Sequence, residues 1–304
     1  MLIAVLILIA LIAGYLVHMP LLSSQFINKL LRLIIGVIIF VMGYNFGIVL
    51  LEMTGQITGM IWFLTVFIFI LLLANIICIK AFTLMKPAYR LAIGKNTQKT
   101  SNPFIHILHS SSYLLYLACG TILGVELNYP VDHIGGIIDA ILLLTLFLIG
   151  IQLNREGHSL TQILKNKTGI AIALIVIISS LITGAITGIL FGIPLKTALM
   201  ISSGFGWYSL SSILNAQLIN AHFGTITFFI DFSREILAII LIPMLAHKMP
   251  TTLIGYSGAT AMDFTLPVIK EHIGVHAIAV AISSGFVLTL VTPILIPLLN
   301  LLPM

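Results

Sequence analysis

Three charged residues lie within one turn of an otherwise apolar stretch, FFIDFSREILAIILIPML, at residues 228–245. They are Asp231, Arg234 and Glu235, in a chain of 304 residues of which only 8% are charged. Successive residues of a helix are about 100° apart, so Asp231 and Glu235 lie about 40° apart and Arg234 about 60° to the other side. All three share one face. Because each charge costs roughly 2.5–3.5 kcal/mol at mid-membrane, we expect this face to be turned away from lipid.

Two carboxylates and one guanidinium give this face a net negative charge. Such a site suits a cationic substrate, or a proton that is taken up and released. The structural alternative is an ion pair of Arg234 with Asp231 or Glu235 that fixes the packing of the helix. Either pair leaves one acid over, and if Arg234 pairs with Asp231, the free acid is Glu235.

Two further apolar runs are interrupted by small and polar residues. The first, SSGFGWYSLSS at 202–212, offers glycines and hydroxyls that could cradle a carboxylate. The second, GYSGATAMDFTLP at 255–267, opens with glycines, closes with a proline and contains another acid, so it is expected to unwind and line a polar cavity. The candidate residues for substrate binding or proton coupling in these segments are Ser203, Gly204, Gly206, Trp207, Tyr208, Ser209, Thr260, Asp263 and Thr265.

Packing alternatives remain open for several of these residues. Trp207 could stack over an ammonium group or anchor a helix at the membrane interface. Asp263 could line the site or cap a half-helix. In the first half of the chain, Asn45 lies in VMGYNFG at 41–47, where it could face the same site or join two helices by a hydrogen bond.

Composition predicts an all-α polytopic membrane protein. The chain is 60% hydrophobic, and its apolar runs are too many and too long for one soluble core. They cover roughly 1–17, 33–51, 57–79, 104–125, 134–153, 168–191, 197–219, 223–246, 252–268 and 273–301. The basic residues other than Arg234 lie between these runs, so the net charge of +5 indicates topology and no nucleic-acid partner.

The basic residues predict how the runs are oriented. If the N-terminus is outside, every Lys and Arg up to residue 167 falls in a cytoplasmic loop. We expect about eight transmembrane helices plus two oppositely oriented re-entrant segments, with both termini outside. The alternative is ten spans, two of them broken crossing helices. Two interrupted segments of opposite orientation are typical of a transporter with a site at mid-membrane.

The chain divides on this basis into two halves. Residues 1–153 are expected to be a helical scaffold, and residues 154–304 carry both interrupted segments and the expected substrate site. The sequence contains no phosphate-binding glycine loop, nucleophile elbow or His-Glu-x-x-His motif, so we expect transport driven by an ion gradient and no enzyme. An intramembrane aspartyl protease that uses Asp231 and Asp263 is the alternative function, although the Gly-x-Gly-Asp pattern of those enzymes is absent.

Three motifs together resemble the bacterial lysine exporter family (LysO type). They are SSGFGWYSLSSIL, FFIDFSREILAIILIPML and GATAMDFTLPVI, in that order and spacing, and LFLIGIQLNREG at 146–157 adds to the match. The resemblance is dense over roughly 140–300 and looser over 1–130, where it rests on FVMGYNFG. Glu52 is the nearest candidate for the family's acid in the first half.

The resemblance implies an inner-membrane protein that exports L-lysine and its toxic analogue thialysine in exchange for protons. It implies that Asp231, Glu235 and Asp263 are the important intramembrane acids. The expected partners are L-lysine, protons and the lipid bilayer, with a homodimer left open and no cofactor. A net negative site complements the two ammonium groups of lysine, and a polar backbone cradle complements its carboxylate.

Overall fold

The computed structural model describes residues 2–17, 24–57, 60–91, 115–116, 118–127, 129, 134–155 and 165–302. These residues form helices and connecting turns, and no β-strand occurs among them. The helices are α1 Leu2–Leu16, α2 Ser24–Ile57, α3 Ile61–Met85, α4 Ala118–Leu127, α5 Ile134–Arg155, α6 Lys167–Phe191, α7 Leu195–Ile201, α8 Tyr208–Leu218, α9 Ala221–Leu245, α10 Pro250–Ser257, α11 Leu266–His272 and α12 His276–Asn300. The predicted all-α class is confirmed for this part of the chain.

Three of the described helices, α3, α6 and α12, are long and apolar enough to cross a membrane. Helix α6 also has the surface of a membrane helix. Its exposed side carries large apolar residues: Ile170, Leu174, Ile178, Ile182, Ile186 and Ile189. Its buried side carries small and hydroxyl residues: Ser179, Ser180, Thr183, Gly184, Thr187 and Gly188. This distribution is the reverse of a soluble helix, and it lets neighbouring elements approach α6 closely.

Local signals in the sequence fix the ends of α6 and α9. The Asn166 side chain accepts a hydrogen bond from the Gly169 N–H at 2.9 Å and so caps the start of α6. Helix α6 ends at Phe191, and the next residue, Gly192, adopts the left-handed conformation with φ 64°. The Asn220 side chain caps α9 in the same way, by accepting from the Phe223 N–H at 3.0 Å.

The run predicted to be interrupted at 202–212 is a broken helix. Helix α7 passes into a 3-10 turn over Ser202–Gly204, and α8 begins at Tyr208. Between them Phe205 has φ 52° and Gly206 has φ 97°, so the chain turns sharply there. We call residues 202–207 the first interruption.

The run predicted to be interrupted at 255–267 is broken as well. Helix α10 ends at Ser257, and a 3-10 turn follows over Gly258–Met262. Gly258 has φ 69°, and α11 begins at Leu266 with Pro267 in its first turn, where a missing N–H costs no helical hydrogen bond. We call residues 258–265 the second interruption.

The remaining helices surround these segments. In the first half, α1 and α2 pack against α5. Helix α3 packs against α6, α9 and α10, so the first half contributes directly to the surroundings of the second interruption. Helix α12 contacts α6 and both interruptions.

Candidate functional site

The two interruptions meet in the interior of the protein. The Ala259 N–H donates to the Phe205 carbonyl at 2.8 Å, which joins their backbones directly. A Cβ placed on Gly258 would collide with the same carbonyl, so only glycine permits this approach. Helix α12 borders the contact, since the Thr292 hydroxyl lies 3.3 Å from the Gly204 carbonyl.

The charged face of α9 is buried beside this contact. Asp231 is 2% exposed, Arg234 is 1% exposed and Glu235 is 0% exposed. The expectation that the face is turned away from lipid is therefore confirmed. The three residues nevertheless have very different partners.

Asp231 holds the first interruption in place. One carboxylate oxygen accepts the Gly206 N–H at 2.8 Å, and the other accepts the Ser211 hydroxyl at 2.6 Å. A Cβ on Gly204 would collide with the second oxygen. Both oxygens are thus occupied by bonds to the segment that they position, which leaves the proposed protease dyad of Asp231 and Asp263 without support.

Arg234 lies between the two interruptions. Its Nη2 donates to the Ser180 hydroxyl of α6 at 3.0 Å, and its Cζ lies 5.8 Å from the centroid of the Tyr256 ring. A Cβ on Gly206 would lie 3.5 Å from the Arg234 Cδ, and one on Gly258 would lie 3.0 Å from Nη1. Two glycines thus make room for the guanidinium. Within the described ranges, Nε and Nη1 have no hydrogen-bond partner.

The structural alternative, an ion pair of Arg234 with one of the acids of its own helix, is not seen as a direct contact among the described residues. The Asp231 carboxylate is bonded to Gly206 and Ser211, and it interacts with Arg234 only through space. Glu235 follows Arg234 directly, and neighbouring side chains of a helix do not face each other. The guanidinium instead extends to α6.

Glu235 has no polar contact among the residues that the structure describes. Neither of its carboxylate oxygens has a hydrogen-bond partner, although the side chain is completely buried. It lies close enough to Asp263 for the two acids to interact electrostatically. Asp263 is half-buried, and its carboxylate accepts the Phe264 N–H at 2.6 Å. Two acids therefore lie near each other where the second interruption meets α9.

The remaining candidates are distributed around this centre. Ser203, Thr260 and Thr265 donate to nearby backbone carbonyls at 2.7, 2.8 and 2.9 Å. Trp207 and Tyr208 are half-buried, and the Tyr208 ring packs edge-on against Phe228 and Phe232. The side chains of Ser209, Asn45 and Glu52 lie outside the described residues.

Sequence reasoning did not single out two neighbours of the charged face. Ser180 accepts from Arg234, and the Tyr256 ring lies against the same guanidinium. The signal for Ser180 was a pair of adjacent serines in an otherwise apolar run. Tyr256 lay unremarked within the second interrupted stretch. No group of three His, Cys, Asp or Glu that could hold a metal ion occurs in the part of the chain covered by the structure.

Comparison with known proteins gives a consistent result. A family model described as lysine exporter LysO matches residues 114–300. The Escherichia coli (strain K12) protein named lysine exporter LysO is 35% identical over 291 residues, which cover 95% of this chain and 96% of the relative. A Haemophilus influenzae protein named "Putative lysine exporter" is 42% identical over 156 residues, or 51% of this chain and 80% of that protein. No solved structure matches the chain.

These matches agree with the apolar helices, which make the chain a multi-pass protein of the bacterial inner membrane. The family model spans more than half of the chain and includes both interruptions and the charged face of α9. The chain therefore belongs to the lysine exporter LysO family.

Proposed function

We propose that the protein exports L-lysine from the cytoplasm in exchange for protons, and that Glu235 and Asp263 bind both. The observation that carries the proposal is Glu235, a fully buried acid whose two oxygens have no hydrogen-bond partner in the described structure and whose charge interacts with that of Asp263. An ionised carboxylate cannot remain buried without a cation or a hydrogen-bond donor, so the pair must hold either protons or a positively charged ligand. The names of the relatives support lysine as that ligand.

Exchange follows from the competition between these two occupants. An ammonium group of lysine requires an ionised carboxylate, and a bound proton removes that charge. Lysine binding from the cytoplasm therefore releases protons, and proton binding from outside releases lysine. Thialysine fits the same scheme because it has the same two ammonium groups and carboxylate. In this account Asp231 takes no part in the exchange and maintains the shape of the first interruption.

The contacts of the first interrupted segment support a re-entrant hairpin. The Asn215 side chain donates to the Met200 carbonyl at 3.2 Å. Asn215 lies about 10 Å into α8 at the usual helical rise, so α8 must fold back beside α7 to make this contact. On α6, Gly188 lies opposite Ala198 and Gly184 opposite Ser202, which is the order expected if α7 returns antiparallel to α6.

The second segment supports entry from the other membrane surface. Ser283 of α12 donates to the Asn166 carbonyl at the start of α6, and Ile296 clusters with Leu181 further along, so α12 and α6 run parallel. Helices α10 and α11 lie between the end of α9 and the start of α12. The exposed Lys248, at the turn before α10, favours the cytoplasm for that end.

This arrangement supports a topology of eight transmembrane helices and two re-entrant hairpins, with both termini outside. We propose that the substrate site lies in residues 154–304 and that residues 1–153 support it, since α3 of the first half packs against the second segment. The hairpin tips then meet at mid-membrane, where a carrier can expose one site to either surface in turn.

Transport in liposomes tests the proposal. Purified protein is reconstituted with labelled lysine inside, and efflux is measured with and without an inward proton gradient. We expect efflux that depends on the gradient, loss of efflux in Glu235→Gln and normal efflux in the control Glu126→Gln, which changes an exposed acid of α4. Normal efflux by Glu235→Gln would remove Glu235 from the mechanism, and no efflux by the wild type at any pH would refute lysine export.

A further inference from the structure

We infer that Arg234 binds the carboxylate of the exported amino acid, an inference that rests on the proposed function and specifies which group of the substrate the site recognises. Arg234 is 1% exposed, and its one hydrogen bond among the described residues goes to the neutral Ser180 hydroxyl. A guanidinium buried without a hydrogen-bonded anion is unfavourable. Its natural ligand is a carboxylate, which accepts strong charge-assisted hydrogen bonds from its N–H groups.

The surroundings hold the Arg234 side chain in one position and leave donors available. Ser180 fixes Nη2, the Tyr256 ring lies beside Cζ, and the backbones of Gly206 and Gly258 confine the side chain from two directions. Nε and Nη1 remain without a partner in the described structure. A donor held in place before the ligand arrives binds with little loss of side-chain entropy.

The carboxylates already present do not fulfil this role. One oxygen of Asp231 is bonded to Gly206 of the first interruption and the other to Ser211 of α8, and Glu235 lies about 100° around α9 from Arg234. In the described structure, consecutive positions of one helix therefore present donors without a partner at Arg234 and acceptors without a partner at Glu235. A zwitterion offers the complementary set, because its carboxylate and ammonium groups are attached to the same carbon. A diamine of the same length offers only half of it.

Binding of a carboxylate at Arg234 also gives a role to the contact between the interruptions. The Ala259 N–H and Phe205 carbonyl meet beside Arg234, and both glycines next to the guanidinium belong to the interruptions. Since Arg234 is almost completely buried, a ligand reaches it only when the two interruptions separate. When the two interruptions meet again, they enclose the carboxylate of the substrate between them.

Binding of lysine and of lysinamide to the purified protein tests the inference. Lysinamide replaces the carboxylate with a neutral amide, and the measurement is made at a pH low enough to keep both ammonium groups charged. We expect the wild type to bind lysine about 10- to 100-fold more tightly than lysinamide, the range expected when a charge-assisted hydrogen bond is lost. Arg234→Gln should reduce this ratio to about one, mainly by weakening the binding of lysine.

Two further variants keep the test decisive. Ser180→Ala removes the neutral partner of Arg234 and should preserve most of the ratio. Arg234→Lys retains a positive charge without the planar guanidinium, so an intermediate ratio is expected even if Arg234→Gln does not fold. Equal binding of lysine and lysinamide by the wild type, or an unchanged ratio in the Arg234 variants, would overturn the inference and leave lysine export intact. Absence of both lysine binding and lysine efflux in the wild type would instead refute the proposed function.

Discussion

The two interruptions are stabilised in different ways. The first is held from outside by α9, whose Asp231 accepts hydrogen bonds from Gly206 and Ser211. The second is held mainly by its own residues. The Thr260 hydroxyl donates to the Ser257 carbonyl, and the Thr265 hydroxyl and N–H both donate to the Thr260 carbonyl.

This difference separates the acids into two groups. Asp231 is committed to the shape of the first interruption, so its loss is a loss of structure. The second interruption needs no carboxylate from another helix, so Glu235 and Asp263 remain available at its edge. Among the described residues, the motif of three charges thus contains one acid that is hydrogen-bonded to the first interrupted segment, one acid without a hydrogen-bond partner, and one guanidinium with two nitrogens that have none.

The largest effect is expected where the interruptions touch. Gly258→Ala places a methyl group against the Phe205 carbonyl and forces a side chain into φ 69° and ψ −137°, a conformation used almost only by glycine. Gly192→Ala is the control, because Gly192 has φ 64° with nothing within 4 Å of the added Cβ. Backbone strain should lower the free energy of unfolding of the control by about 1–2 kcal/mol. Gly258→Ala should lower it by at least about 2 kcal/mol more. Thermal unfolding in detergent measures both, and equal losses would mean that the contact is unimportant.

The next largest effect is expected at Asp231. Asp231→Ala removes two hydrogen bonds to a charged group, so a loss of about 3 kcal/mol or more is expected. Ser211→Ala removes one of these hydrogen bonds. It should lower the free energy of unfolding by about 1.5–3 kcal/mol when introduced into the wild type and by much less when introduced into Asp231→Ala. Asp231→Asn keeps an oxygen for the Gly206 N–H and should recover part of the stability. Additive losses for Asp231→Ala and Ser211→Ala would contradict the architectural role of Asp231.

A smaller effect is expected within the second interruption. Thr265→Val preserves the shape of the side chain and removes one of two hydrogen bonds to the Thr260 carbonyl, so a loss of about 1 kcal/mol is expected. The matched control is Thr65→Val in α3, where an exposed threonine donates to the Ile61 carbonyl within the same helix. If Thr265→Val were as damaging as Asp231→Ala, the second interruption would not be supported by several weak bonds.

The smallest effect on stability is expected at Glu235. Glu235→Gln replaces a carboxylate that has no hydrogen bond in the described structure, so the free energy of unfolding should change by less than about 1 kcal/mol. Asp231→Asn, the same chemical change four residues earlier, should lose more because the Asp231 charge is hydrogen-bonded. Unfolding curves of the two purified variants, measured together with lysine efflux, compare structure with transport. Equal destabilisation would contradict the division of the acids into two groups.

The helices and their interruptions were more predictable from the sequence than the hydrogen-bond partners of the charged residues. Glycine, proline and serine within long apolar runs predicted both interruptions, and the energetic cost of charge in lipid predicted the burial of Asp231, Arg234 and Glu235. The partners depend on how helices approach in space. Arg234 bonds to a serine 54 residues away, and Asp231 bonds to a glycine 25 residues away. Helical spacing alone suggested an ion pair within α9. The hydrogen-bond partners that the structure shows come instead from α6 and from the first interruption, which approach α9 in space.

Proton release during lysine binding reports the exchange of lysine and protons at Glu235. Lysine is added to purified protein in weakly buffered detergent solution, and the pH is followed with an indicator. We expect the wild type to release protons as lysine binds, Asp231→Asn to do so as well where it folds, and Glu235→Gln to release fewer or none. Lysine binding without proton release in the wild type, or undiminished release in Glu235→Gln, would contradict the exchange of lysine and protons at Glu235.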